Sequence, residues 1–272
     1  MLFKFNDLSL NVEASGISNA KDYIFFIHGF TGNAKDWDDI IPRINKKFAC
    51  IAIDLIGHGK SDSPEELSYY FSTSISRQIS FIISQYTNQP VILAGYSMGG
   101  RVALNFAIEN PESIRALILE SASAGIDDEQ LRLERISSDE QLAFFIKNNS
   151  IGKFADYWMN IDLFSSQKNL PKKKLKKVRS SKLTNNKTGL ANSLLGFGTG
   201  KMAPLFGRLK FFTPKTLLIT GEFDIKYCDI NSGMAEVLPR SRHLTINDAG
   251  HNVHLEQPAK FAEAINTFLS EF

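Results

Sequence analysis

The stretch AGYSMGGRVAL, residues 94–104, decides how the chain is read. It follows the apolar run PVIL at 90–93 and continues into RVALNFAIEN, whose apolar residues recur at helical spacing, so a serine between glycines sits where a strand gives way to a helix. Gly95-Tyr96-Ser97-Met98-Gly99 fits the pattern G-x-S-x-G. In so tight a turn, side chains at the flanking positions would strike neighbouring backbone, and the serine is held strained with its hydroxyl presented outward. The pattern predicts a nucleophile at Ser97, provided that the rest of the chain supplies a base to take its proton.

Those partners are present. A serine hydroxyl is unreactive at neutral pH unless a base accepts its proton and a carboxylate orients that base. Asp224 lies in GEFD just past the apolar run TLLIT, and His251 lies in DAGHNVHLE just past HLTI. The chain order Ser, acid, His is that of an α/β-hydrolase arrangement, and both partners fall on loops at the C-terminal ends of predicted strands, where open α/β sheets bind ligands. Glu222, two residues before Asp224, is a competing acid nearer the strand end. His254, three residues after His251 and able to share a helical face with it, reads as a supporting residue. His58 in DLIGHGKSD serves its loop, and His243 beside Arg242 has no claim on the chemistry. The stretch IHGFTGN at 27–33 resembles the loop that gives one backbone amide to an oxyanion hole, which assigns Phe30 and Met98 as the two amide donors and His28 as a shaper of the loop.

Around this constellation, short apolar runs alternate with helical periodicity. Strands are predicted at Tyr23–Ile27, Phe48–Leu55, Val91–Ala94, Ile114–Leu119, Thr216–Thr220 and His243–Ile246, with an N-terminal antiparallel hairpin around Phe3 and Leu10. Helices are predicted at Asp36–Ile44, Ser74–Gln85, Gly99–Ile108 and Ala259–Leu269. The rhythm stops after Leu119 and resumes only at Pro214. The fold predicted is an α/β-hydrolase fold, a mostly parallel sheet with helices on both faces, whose core comprises residues 1–122 and 205–272 and whose helical lid is an insertion at 123–204. The lysine run PKKKLKKVR at 171–179 reads as the solvated face of a lid helix.

Bulk properties narrow the classes. With 43% apolar and 22% charged residues over 272 positions, the chain has the composition of an ordinary globular protein. A net charge of +2 is too mild to call for nucleic acid or an anionic membrane. Two cysteines, Cys50 and Cys228, are too few and too scattered for a disulfide framework or a zinc site. No uninterrupted apolar run approaches the roughly 20 residues that span a bilayer, and the N-terminus lacks the apolar core of a signal peptide. A cytoplasmic enzyme acting on a small molecule, with no metal or organic cofactor and no membrane or nucleic-acid partner, is the expectation.

A narrower resemblance rests on GYSMGGRVAL, on LESASAGI at 119–126, on ERISSD at 134–139 and on GFGTGKMAPLF at 196–206. Over nearly its whole length the chain resembles the 2-succinyl-6-hydroxy-2,4-cyclohexadiene-1-carboxylate (SHCHC) synthases of menaquinone biosynthesis. The resemblance implies a lyase in which Ser97, polarised by His251 and Asp224, removes a proton from an anionic cyclohexene, and pyruvate leaves. It also implies that Tyr96, Arg101, Arg135 and Trp158 contact the substrate, the arginines by meeting its carboxylates in bidentate fashion. The chain departs from the family where a lid arginine is expected: KLTNN places Lys182 there, with Arg179 three residues earlier as a substitute. Met202 and Ala203 stand where the family usually has Gln and Pro, and Phe206 where it has Trp. Rival readings use the same three residues for carboxylic-ester or carbon–carbon bond hydrolysis, or keep the scaffold for binding alone.

Overall fold

The computed structural model describes residues 1–18 and 20–272. Among them, eight strands form one sheet: β1 (Leu2–Phe5), β2 (Leu8–Ser15), β3 (Asp22–Ile27), β4 (Phe48–Ile53), β5 (Val91–Tyr96), β6 (Ile114–Glu120), β7 (Lys215–Gly221) and β8 (Ser241–Ile246). Their spatial order is β1-β2-β4-β3-β5-β6-β7-β8. β1 pairs with β2 and β2 with β4 in antiparallel sense, and every later pair is parallel.

The central strands are apolar on both faces because helices cover both. Phe25, Ile27, Leu93, Leu117, Leu119 and Leu218 face one core. They pack there against α1 (Ser72–Ser84), α2 (Met98–Glu109) and α7 (Ile225–Val237). The alternate residues Ile24, Phe26, Ile92, Ala94, Ile118 and Ile219 meet Trp37, Ile40 and α9 (Pro258–Leu269) on the other side. The period of two along each strand thus divides the sequence into two cores.

One predicted element differs. In place of a helix over Asp36–Ile44 the chain makes two short 3₁₀ turns, Ala34–Trp37 and Ile41–Arg43. Pro42 removes a backbone donor from the middle of the run, and Asn33 caps the first turn through the amide of Lys35. The apolar spacing is still used, since Trp37, Ile40 and Ile44 are buried.

Between β6 and β7 the chain forms α3 (Glu129–Asn148), α4 (Ile151–Met159), α5 (Lys172–Leu183) and α6 (Lys187–Phe197). Ala143, Ile146, Phe154, Leu190, Ala191 and Leu194 give these helices a small core of their own. The segment leaves and re-enters at a closed neck, where the Leu205 amide donates to the Ala124 carbonyl at 2.7 Å. α3 and the end of α6 touch so closely that a Cβ on Gly198 would lie 2.4 Å from Asp139 Oδ2, and one on Gly200 2.7 Å from the Arg132 carbonyl. ERISSD and GFGTG are thus two sides of one contact. α5 carries the lysine run and buries no residue fully.

Candidate active site

Ser97 stands between β5 and α2 with φ +50° and ψ −109°, outside the regions an L-residue prefers, a strain of about 1–3 kcal/mol that surrounding packing must hold. The glycines explain how the chain turns so sharply. A Cβ on Gly95 would lie 2.4 Å from the Gly99 carbonyl oxygen, and one on Gly99 would lie 2.2 Å from that of Ile27. With no side chain there, α2 starts directly against the end of β3.

The structure brings the three candidate residues together from three strand ends. Ser97 Oγ donates to His251 Nε2 at 3.0 Å, and His251 Nδ1 donates to Asp224 Oδ2 at 2.7 Å. Asp224 follows β7 and precedes α7, while His251 follows β8 in a loop ahead of the short helix α8 (Val253–Glu256). Both are buried, and the serine is only half-buried at the floor of a cavity. The arrangement can take a proton from the serine hydroxyl and hold the resulting imidazolium. Glu222 is elsewhere, accepting the amide of Asp248.

Two amides are free to act beside the serine. Those of Phe30 and Met98 donate to no protein group among the described residues, and both residues line the cavity. The Phe30 turn is shaped from behind by His28, whose Nδ1 donates to the Gly29 carbonyl and whose Nε2 accepts the amide of Leu55. His28 makes no hydrogen bond to Ser97 or Asp224, since both its ring nitrogens are engaged by backbone.

The cavity, of about 510 Å³, is walled by the sheet edge below and by α3, α4 and α6 above. Tyr96, Arg101, Arg135 and Trp158 all line it. Arg101 is buried with its Nη1 donating to the Phe197 carbonyl at 2.9 Å and its guanidinium over the Phe197 ring. Burial and the nearby Arg135 bring its pKa down to about 10, so it stays a cation at neutral pH. Arg135 gives its Nε to Asp139 at 2.9 Å and has no protein partner for its terminal nitrogens among the described residues. Trp158 packs edge-on against Phe30 at 5.2 Å and against Phe164 at 5.8 Å.

Two expectations are corrected. Lys182 does not line this cavity; its ammonium turns to Thr31 Oγ1 at 2.7 Å. Arg179 does not take over, because it is exposed and forms a two-pronged pair with Asp156 on α4, at 2.6 and 3.1 Å. A helix that faces solvent on one side can orient only some of its cations inward, and spacing alone did not tell which. His254 shares no helical face with His251, which lies outside α8, but its backbone amide and ring Nδ1 both donate to Glu120. His58 is buried in its loop with Nδ1 on the Ile56 carbonyl, and His243 meets Thr220.

Sequence reading missed Tyr227, Phe164 and Asp139. Tyr227 lines the cavity, and its ring lies 4.6 Å from that of His251. Its signal was available: it stands three residues after Asp224 on the helix the acid begins. Asp139, 4% exposed, has burial raising its pKa, while Arg135 opposes that rise. Its signal was the i, i+4 spacing from Arg135. Among the described residues, no group of three or more His, Cys, Asp or Glu side chains is arranged to hold a metal ion, and no helix is long and apolar enough to cross a membrane.

With this geometry in place, similarity to known proteins places the chain. Residues 22–258 match the family described as alpha/beta hydrolase fold. A Bacillus subtilis protein provisionally named 2-succinyl-6-hydroxy-2,4-cyclohexadiene-1-carboxylate synthase is 41% identical over 93% of this chain and 92% of its own length. A Klebsiella pneumoniae protein of the same name is 30% identical over 87% of this chain and 89% of its own. The solved structure of MenH from S. aureus superposes with a TM-score of 0.90 at 33% identity, covering 96% of this chain and 98% of that one. An esterase from Thermogutta terrifontis shares the fold at a TM-score of 0.86 and 23% identity, covering 97% of this chain and 94% of its own. The chain therefore belongs to the alpha/beta hydrolase fold family and, within it, to the family of 2-succinyl-6-hydroxy-2,4-cyclohexadiene-1-carboxylate synthases.

Proposed function

We propose that this chain is the SHCHC synthase of a menaquinone pathway and that it performs an elimination without water as a reactant. The substrate, 2-succinyl-5-enolpyruvyl-6-hydroxy-3-cyclohexene-1-carboxylate, has a ring C–H next to the succinyl ketone. Ser97 Oγ, its own proton passing to His251, removes that hydrogen, and negative charge collects on the ketone oxygen as an enolate. The electron pair then returns into the ring, the ring double bond shifts, and the C–O bond to the enolpyruvyl group breaks. The leaving enolate takes a proton to become pyruvate, and the ring keeps a conjugated diene.

Each part of the site has a task in this scheme. The amides of Phe30 and Met98 stabilise the enolate oxygen, a contribution of about 3–4 kcal/mol per donor where such groups have been removed elsewhere. Arg101 and the free nitrogens of Arg135 receive substrate carboxylates. Tyr96, Tyr227 and Trp158 wall the ring from water, which strengthens these charge interactions. The segment at 123–204 acts as a lid over a small-molecule polycarboxylate, and the enzyme works in the cytoplasm.

The observation that carries this reading is the pairing of the Ser97–His251–Asp224 relay with two arginines in one cavity. Ester hydrolysis needs only the relay, whereas two arginines beside it suit a substrate that carries several carboxylates. The test is to incubate the enolpyruvyl substrate with the protein and couple pyruvate release to lactate dehydrogenase. Wild type should release pyruvate, Ser97→Ala should not, and Arg101→Ala should lose most of kcat/KM. Turnover of p-nitrophenyl acetate with no pyruvate release would overturn the assignment in favour of a carboxylesterase.

A further inference from the structure

Thr31 follows Phe30 in the turn after β3, and it is buried with φ at +67°. A β-branched residue in the left-handed region is held there only by its surroundings. Two donors converge on it, one from the last turn of α5 and one from just past its end. Lys182 Nζ donates to its hydroxyl at 2.7 Å, and Asn185 Nδ2 donates to its carbonyl at 3.0 Å. Asn185 is buried and also reaches the Lys182 carbonyl at 3.1 Å, so the two donors brace each other. Two residues along the same turn, Asn33 Nδ2 donates to Ser181 Oγ at 2.9 Å.

This connection is local and specific. Within the turn itself, Gly32 donates to the Gly29 carbonyl at 3.0 Å, which closes it but leaves Thr31 to be held from outside. Thr31 contributes neither its hydroxyl nor its carbonyl to the cavity wall. A lysine suits the task, since one compact donor on a long stem matches one hydroxyl and no bidentate fork is required. Burial pushes the Lys182 pKa down to about 8, yet an amine donates in either protonation state, so the contact survives that titration.

We propose that Lys182 and Asn185 are positioning residues, which hold Thr31 in its left-handed conformation and so keep the Phe30 amide aimed at the developing oxyanion, without touching the substrate. The proposal rests on the assignment of Phe30 as an oxyanion donor in the preceding reading. It gives the residue at 182 a task other than binding a carboxylate.

The test compares Lys182→Met with wild type by amide hydrogen exchange over residues 28–34 and by the pyruvate-coupled assay. The expected result is exchange at least fivefold faster in that segment and unchanged in β5, with kcat down at least tenfold and KM within twofold. Lys182→Arg, which keeps a donor, should retain most of kcat. Unchanged exchange would overturn the proposal, and so would a raised KM with kcat intact, which would make Lys182 a substrate ligand. Should Lys182→Met fail to fold, Thr31→Val removes the same bond from the other side at equal size and is held to the same two readouts. Wild type that releases no pyruvate would defeat the synthase reading alone, because the exchange measurement decides the proposal without turnover.

Discussion

Glu120, the last residue of β6, accepts both the backbone amide of His254 at 2.9 Å and its ring Nδ1 at 2.6 Å. Both residues are almost fully buried, and the His254 ring stacks on Trp37 at 4.4 Å. The loop that carries His251 is thereby fastened to the strand beside the nucleophile, whose own amide donates to the Glu120 carbonyl at 2.8 Å. Leaving a buried donor unpaired costs about 1–3 kcal/mol, and Glu120 satisfies two of them. Glu120→Ala should lose at least about 2 kcal/mol in urea unfolding. At temperatures where it remains folded, its kcat should also fall.

Acid should unfold the protein in part through His58. Burial first, then His28, bring its pKa from an ordinary 6.5 down to about 3. Below pH 6.5 the unfolded chain takes up a proton that the folded chain refuses until about pH 3, so stability is complete above that window and falls as pH drops through it. The slope from this one group is about 1.4 kcal/mol per pH unit at its steepest. His58→Gln should flatten the pH dependence of urea unfolding between pH 6 and 4 by a measurable part of that slope. Parallel curves for the two proteins would contradict the prediction.

Asp139 fixes how Arg135 meets the cavity, because it engages Nε and leaves the terminal nitrogens free. Asp139→Ala should let Arg135 swing toward solvent, where it is already 38% exposed at the side chain. KM for the polycarboxylate is expected to rise about tenfold, equivalent to ~1.4 kcal/mol, with kcat within about twofold. Initial-rate kinetics at neutral pH would decide it.

Gly99→Ala should be among the most damaging single changes to the fold. The added methyl would meet the backbone oxygens of Ile27 and His28 at 2.2 and 2.4 Å, and backbone at the end of a central strand cannot retreat as a flexible side chain can. A cost of about 3 kcal/mol or more follows from overpacking of this kind. The check is the urea midpoint. Gly207→Ala, with nothing within 4 Å of its new methyl, is the control and should move it little.

The elements that position the site were legible because each used a local rule. The strands read as uninterrupted apolar runs, G-x-S-x-G announced the turn at Ser97, and Asp224 and His251 lay just past strand ends. The helix expected over Asp36–Ile44 rested on the apolar spacing of Trp37, Ile40 and Ile44, which burial preserves, while Pro42 breaks the run into two short turns. The cations of the insertion were less legible. Arg135 and Lys182 are both helical residues in a polar context, and only tertiary packing sends one guanidinium to the cavity and the other ammonium to Thr31. Tyr227 escaped notice because a tyrosine on a helix is ordinarily core, and its place against His251 depends on how α7 lies across the sheet.

The reach from α5 to the Thr31 turn bears on how this scaffold can be re-engineered. Grafting a foreign segment in place of residues 123–204 would exchange one wall of the cavity and, with it, discard the contacts that Lys182 and Asn185 make to the Thr31 turn. A chimera that inherits a donor opposite Thr31 starts with that geometry intact; one that does not must rebuild it before any new substrate is processed at speed.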